Sequence, residues 1–393
     1  MRLSFSAAAC AALVYAGTAG ALDQIVEKKS FSMAAYTTVG GQSIKDVRIG
    51  YETYGRLNDA KDNAILVPHF FSGNSHVAGK YKPEDKAAGY WDSIVGPGRP
   101  LDTDKYFIIG VDSLCNINTR DGVTVTTGPA SINPDTGKPY AMQFPEVQVR
   151  DFVNVQKALV DSLGIHKLHA VMGLSMGGLQ SWEWAAAYPD AVARLIAVVS
   201  GPVAPPYLIA QLQSWADAIK LDPKWNGGDY YGKGDPIDGL TLAFKMINLA
   251  SRQPEWADAQ FGRKPADPSR DPAAGYGNLY AVEKWMDDAS LGRAKSVDAN
   301  SVICLVRANQ LHQAGGKATE EDGLAQIKAK VLIIPDEHDV LLFPEYERKA
   351  RDILKSQGKR VEYLELHGPN GHLDSITGIS QVSDAISRFL NSE

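Results

Sequence analysis

Apolar and polar positions along the chain change period repeatedly, and each change marks an element. Residues 31–36 and 47–54 alternate apolar and polar on either side of Gly40-Gly41, which predicts an antiparallel hairpin. Residues 64–69 and 106–111 are short unbroken apolar runs between turn residues, the pattern of strands buried on both faces. A helical spacing runs from 147 to 163 and stops at Gly164, a residue suited to a left-handed C-terminal cap. Residues 168–172 read as a strand, followed by a helix to about 188. Further strands are predicted at 192–199, 331–335 and 361–366, with a last helix over 375–390. This alternation argues for an α/β fold with a mostly parallel sheet and helices on both of its faces.

Between 200 and 328 the strand pattern disappears. Helical segments, four tryptophans (Trp215, Trp225, Trp256, Trp285) and turn clusters such as Asn226-Gly227-Gly228 take its place. Because strands resume afterwards, this stretch reads as a helical lid inserted into one core, formed by 22–199 and 329–393. An independent second domain is the alternative. Composition narrows the class: 44% apolar and 22% charged residues describe a globular chain, not a disordered one. Three cysteines allow one disulfide at most, which excludes a disulfide scaffold. A net charge of −6 without a basic stripe argues against a nucleic-acid partner.

The first 21 residues have their own pattern: Arg2, an apolar stretch over 7–16, then Ala19-Gly20-Ala21 before Leu22. This is the layout of a secretory signal peptide with an A-x-A cleavage site, so a periplasmic or secreted enzyme is expected. No other stretch is apolar for about 18 residues, as a membrane span requires. Cys115 and Cys304 would remain after cleavage; they could pair in an oxidising compartment, but their spacing does not say so.

Candidate chemistry lies where strands end. Gly173-x-Ser175-x-Gly177 follows a predicted strand and precedes a predicted helix, the setting in which a sharp turn lifts a serine hydroxyl above a sheet. The backbone N–H of Met176, at the positive end of that helix, would face a developing oxyanion. A serine nucleophile needs an acid and then a histidine, in that chain order. Asp339 is the preferred acid, with Asp336 as the alternative. His372, in a Gly-rich loop before the last helix, is the expected base, whereas His367 at the strand end reads as a packed or surface residue. Phe71, in the loop after residues 64–69, is chosen as the second oxyanion donor; the alternative makes Phe70 and Phe71 wall residues. His166-x-x-His169 lacks the intervening Glu of a zinc-protease helix, and the Gly-Gly pairs lack phosphate-binding spacing, so no metal and no cofactor are expected. The tryptophans and tyrosines of the inserted segment read as core.

Several stretches resemble homoserine O-acetyltransferase, an α/β-hydrolase-fold enzyme family of methionine biosynthesis. They are 69–79 (HFFSGNSHVAG), Gly96-Pro97-Gly98 with 101–104 (LDTD), 127–140 (TGPASINPDTGKPY), Phe144-Pro145 with Arg150-Asp151, 173–184 (GLSMGGLQSWEW) and 222–231 (DPKWNGGDYY). The resemblance implies an α/β-hydrolase fold, a Ser175–His372–Asp339 triad, Phe71 and Met176 as oxyanion donors, and a homodimer formed through the lid. Four departures stand out. The family's carboxylate-binding lid arginine is matched by Ala216. The amine-binding aspartate after the catalytic histidine is matched by Leu373, with Asp374 one place late. A short Gly-Gly-Cys loop is replaced by 115–126, and the acid loop has an extra residue before Leu342-Phe343-Pro344. Each lost charge contact would cost an amino-acid ligand about 2–5 kcal/mol. Export would also separate the enzyme from cytoplasmic acetyl-CoA. The expected function is therefore an exported serine hydrolase that cleaves a small carboxylic ester through an acyl-enzyme. Acyl transfer to homoserine or another alcohol is the alternative.

Overall fold

The computed structural model describes residues 25–392, so the expected signal peptide at 1–21 lies outside the described residues. The main sheet has eight strands: β1 (Lys29–Thr37), β2 (Ser43–Tyr54), β3 (Ala64–Pro68), β4 (Phe107–Val111), β5 (Ala170–Leu174), β6 (Arg194–Val198), β7 (Lys330–Ile334) and β8 (Val361–Tyr363). Their spatial order is β1-β2-β4-β3-β5-β6-β7-β8. β1 pairs antiparallel with β2, and β2 with β4; every other neighbour is parallel.

Side chains of the buried strands divide cleanly between two cores, as the period of two requires. Leu66, Ile109, Val171, Leu195 and Val331 face one core, which takes in Phe152 of α1 (Val149–Ser162) and Trp182 and Trp184 of α2 (Met176–Ala187). Ile65, Ile108, Met172, Ile196 and Leu332 face the other, closed by Trp91, Ile386 and Phe389. The unbroken apolar runs follow from this: both faces of the sheet are covered.

Between β6 and β7 the chain is mainly helical: α3 (Pro206–Leu221), α4 (Ile237–Ala250), α5 (Pro254–Gln260), α6 (Ala281–Ala294), α7 (Ala299–Gln310) and α8 (Glu320–Ala325), with short 3-10 turns. Stretch 222–231 has a structural task here. Asp298, the N-cap of α7, accepts from Ser301 N–H at 2.8 Å and from Tyr231 at 3.2 Å, and Tyr230 also bonds to it. Asp151 acts similarly at the start of α1, taking bonds from Tyr36, Val39 and Gln148. After β7 come α9 (Pro344–Ser356), β8, α10 (Asp374–Thr377) and α11 (Ser383–Asn391).

The last helix differs from its expectation over 375–390. Gly378 interrupts it, and a 3-10 turn, Ile379–Val382, separates α10 from α11. Glycine weakens a helix interior, and the side chain of Asp374 turns back to the loop before it instead of supporting a continuous helix. Strand β5 also runs two residues beyond its expected end, so Gly173 and Leu174 belong to the strand and the turn falls on Ser175 itself.

Cys115, in the loop after β4, is disulfide-bonded to Cys304 in α7, across 189 residues of chain. The bond fastens the helical segment to the core. Reduction, or Cys304→Ser, is expected to remove about 2–4 kcal/mol of stability. Thermal unfolding with and without reductant checks this; an unchanged midpoint in both would refute a fastening role.

Candidate active site

Two glycines make the turn at Ser175 possible. A Cβ on Gly173 would lie 2.2 Å from the Gly177 carbonyl oxygen, and one on Gly177 would lie 2.2 Å from that of Pro68. No side chain fits at either place. Ser175 itself adopts φ 53° and ψ −125°, a left-handed conformation that a serine holds only under constraint. The strain turns the chain sharply from β5 into α2. The Ser175 hydroxyl then stands above the C-terminal ends of the parallel strands.

The acid and the base arrive from the next loops. His372 Nε2 is 2.9 Å from Ser175 Oγ, and His372 Nδ1 is 2.6 Å from Asp339 Oδ2. Asp339 is buried, and its other oxygen accepts from the N–H groups of Leu341 (2.8 Å) and Leu342 (3.0 Å). The extra residue before Leu342-Phe343-Pro344 thus does not move the carboxylate out of reach. His372 sits on a 3-10 turn, Gly371–Leu373, with Gly371 at φ +60°. Gln253, from the helical segment, donates to the Gly368 carbonyl at 2.6 Å and ties this loop down.

The other sequence candidates fall elsewhere. Asp336 is buried and accepts from His338 N–H at 2.9 Å, so it does not pair with His372. His367 is exposed and pairs with Glu337 at 2.7 Å. His166 is exposed, while His169 donates to the Leu390 carbonyl. Met176 is the first residue of α2, where an N–H has no acceptor within the helix. Phe71 packs edge-on against Trp215, with ring centroids 5.7 Å apart.

A cavity of about 60 Å³ lies over Ser175 and His372. Its walls are Phe70, Phe71, Ser72, Leu174, Trp215, Ile247, Ser251, Leu341, Leu373, Ser375 and Ile376, none of them charged. Trp215 and Ile247 of the helical segment were not anticipated as walls, because an apolar residue on a helix face gives no sign of whether it meets core or cavity. Ala216, one residue on, lines a different and larger cavity of about 640 Å³ beside Cys304 and Arg307. Asp374 is buried and directed away from the site, accepting from Asn370 N–H (2.7 Å) and the Asn370 side chain (2.9 Å). Leu373 occupies the wall instead.

A serine on a strand-to-helix turn, with acid and then base following in the chain above a mostly parallel sheet, defines an α/β hydrolase. Residues 98–378 match the family model described as the alpha/beta hydrolase fold. Homoserine O-acetyltransferase of Symbiobacterium thermophilum is 40% identical over 352 residues, covering 89% of this chain and 90% of that protein. The Carboxydothermus hydrogenoformans protein of the same name is 39% identical, over 93% of this chain and 95% of its own. The crystal structure of homoserine O-acetyltransferase from Bacillus anthracis superposes with a TM-score of 0.90 at 38% identity, over 94% of this chain and 99% of that one. That of esterase E22 gives 0.89 at 46% identity, over 93% and 100%. The chain belongs to the homoserine O-acetyltransferase family of α/β hydrolases and is an acyl-transfer enzyme.

Burial lifts the Asp336 carboxyl to about 7, and the nearby Asp374 and Asp339 charges push the same way. Unfolded, the group ionises near 3.8, so over this interval only the native state keeps the proton. The stability that the protonated Asp336 contributes is therefore lost as pH rises from 3.8 to about 7. Asp336→Asn, which cannot ionise, is expected to flatten part of that decline. Thermal midpoints at about pH 4.5 and about pH 7.5 test this; an unchanged difference between them would count against it.

Proposed function

We propose that this family member passes the acyl group to water: it is an ester hydrolase for short acyl groups, working through Ser175, His372 and Asp339. The observation that carries the reading is the uncharged wall of the cavity over Ser175. A homoserine acceptor brings a carboxylate and an ammonium group, and neither finds a counter-charge among those residues. Desolvating both without partners is unfavourable. The esterase relative at 46% identity agrees with this reading.

In the reaction, Ser175 Oγ attacks the ester carbonyl carbon while His372 Nε2 takes the hydroxyl proton. Asp339 holds the imidazole by Nδ1–H and stabilises its cationic form. The tetrahedral oxyanion rests on the N–H groups of Met176 and Phe71. His372 returns the proton to the leaving alkoxide, and the C–O bond breaks to give an alcohol and the acyl-enzyme. Water then attacks with His372 again as base, and collapse releases the acid and restores Ser175. No cofactor takes part in these steps.

Transfer to homoserine is the second reading. It is favoured by the curated relatives at about 40% identity that bear that name, and it shares the first half-reaction. Export is part of the proposal: residues 1–21 have a signal-peptide pattern, and the Cys115–Cys304 disulfide suits an oxidising compartment. So is a dimer through the helical segment, supported by the exposed side chains of Leu242 and Leu249 on α4 and Leu291 on α6.

Nitrophenyl acetate hydrolysis is expected to vanish in Ser175→Ala, and turnover that survived would refute the triad. Run beside it, acetyl-CoA with homoserine decides the acceptor. Acetyl-homoserine formed faster than acetate would replace hydrolysis by transfer. The small cavity, against the roughly 300–1,000 Å³ of drug-sized ligand sites, predicts a short acyl chain. Nitrophenyl acetate should exceed the octanoate in kcat/KM by about tenfold or more, and equal values would contradict that limit.

A further inference from the structure

His69 takes no part in the reaction described above, yet it is fully buried at the end of β3, next to the loop that carries Phe71. Its two ring nitrogens have opposite surroundings. Nε2 is 3.1 Å from the Ser113 backbone N–H and 3.2 Å from Asn116 Nδ2, both donors, with Ser113 Oγ at 3.0 Å. The Asn116 amide is held as a donor by the Gly73 carbonyl at 3.1 Å, and its Oδ1 accepts from Asn118 N–H at 2.9 Å. Nε2 must therefore be bare, and the ring proton sits on Nδ1. From there it donates to the Phe70 carbonyl at 2.7 Å. Burial keeps the ring neutral, with its pKa lowered to about 4.

The Phe70 oxygen also accepts from Gly73 N–H at 2.9 Å, so it is fixed from two sides. It shares one peptide plane with the N–H of Phe71. In a trans peptide those two groups point in opposite directions. Fixing the carbonyl against His69 and Gly73 therefore fixes the direction of the N–H. A second strut joins the same loop to α2: the Gln180 side-chain amide donates to the His69 carbonyl at 3.1 Å and to the Met176 carbonyl at 3.3 Å. Its own oxygen accepts from Gln156 at 2.7 Å.

We propose that His69 is a positioning residue for the oxyanion hole: its Nδ1–H, acting on the Phe70 carbonyl, aims the Phe71 N–H at the tetrahedral intermediate. This rests on the reading that Phe71 and Met176 receive the oxyanion. The bare Nε2, held by Ser113 and Asn116, serves to select the tautomer.

The two nitrogens can be tested separately. In His69→Asn the side-chain amide can place an N–H where Nδ1 stood but cannot reach Ser113 or Asn116. In His69→Gln the amide oxygen can take the place of Nε2, leaving the Phe70 carbonyl without its donor. The expected result is that His69→Asn keeps kcat for nitrophenyl acetate within about threefold, whereas His69→Gln lowers it about 100-fold at nearly constant KM, the size of effect seen when one oxyanion donor is lost. Phenylboronic acid, which forms a tetrahedral adduct on a serine oxygen, should lose affinity in step with kcat. The reverse ranking, or equal losses in both variants, would overturn the proposal and leave His69 a packing residue. Should neither variant fold, Asn116→Asp provides the check. It sets an acceptor against Nε2, draws the ring proton there, and should lower kcat at least tenfold; unchanged kcat would overturn the proposal. Hydrolysis that persisted in Ser175→Ala would sink the triad itself. A dead Ser175→Ala beside a fully active His69→Gln would sink only the positioning role.

Discussion

The site depends on how closely three backbone segments approach one another around Ser175. Gly177 lies against the Pro68 carbonyl and Gly173 against that of Gly177, with no space for a single methyl group. That contact lets β5 turn into α2 within one residue, and it carries the end of β3 with it. The same close approach brings the Phe71 loop beside the N-terminus of α2, so nucleophile and oxyanion donors share one rigid corner. The positive φ at Ser175 is tolerated because sheet and helix are packed on both sides of it. The loops bearing Asp339 and His372 need only reach that corner from neighbouring strands.

The helical segment completes the site from above. Trp215 of α3 meets Phe71, Ile247 of α4 lines the cavity, and Gln253 fixes the loop that carries His372. Arg293 of α6, also in the helical segment, bonds to the Ser72 carbonyl at 2.7 Å, and from the core side Asn118 donates to that of Gly73 at 2.8 Å. The replaced loop over 115–126 is therefore part of the support beneath the oxyanion loop. The disulfide at its first residue joins this support to α7.

The sheet was legible because its strands are short apolar runs covered on both faces, a pattern that requires helices around them. The nucleophile, base and acid were legible because their chain order and their position after strands are fixed by the chemistry. Other features were hidden for physical reasons. The pairing of Cys115 with Cys304 depends on how α7 lies over the β4 loop, which no local spacing encodes. Trp215 and Ile247 look like any buried helix residues. His69 is a single histidine after a strand, and its role emerges only once Ser113 and Asn116, more than forty positions later, are seen at its Nε2. The broken last helix could have been anticipated from Gly378, but the turning back of Asp374 could not.

That turn of Asp374 bears on how acceptor preference could change. Its carboxylate already holds Asn370, and it lies near Asp336, whose proton is retained in part because of it. A second acid introduced beside it, at the cavity wall, would enter a pocket of negative charge that includes Asp339. Like charges at such distances resist joint ionisation. An acid placed at that wall would therefore have its own ionisation opposed by the carboxylates already standing behind the histidine.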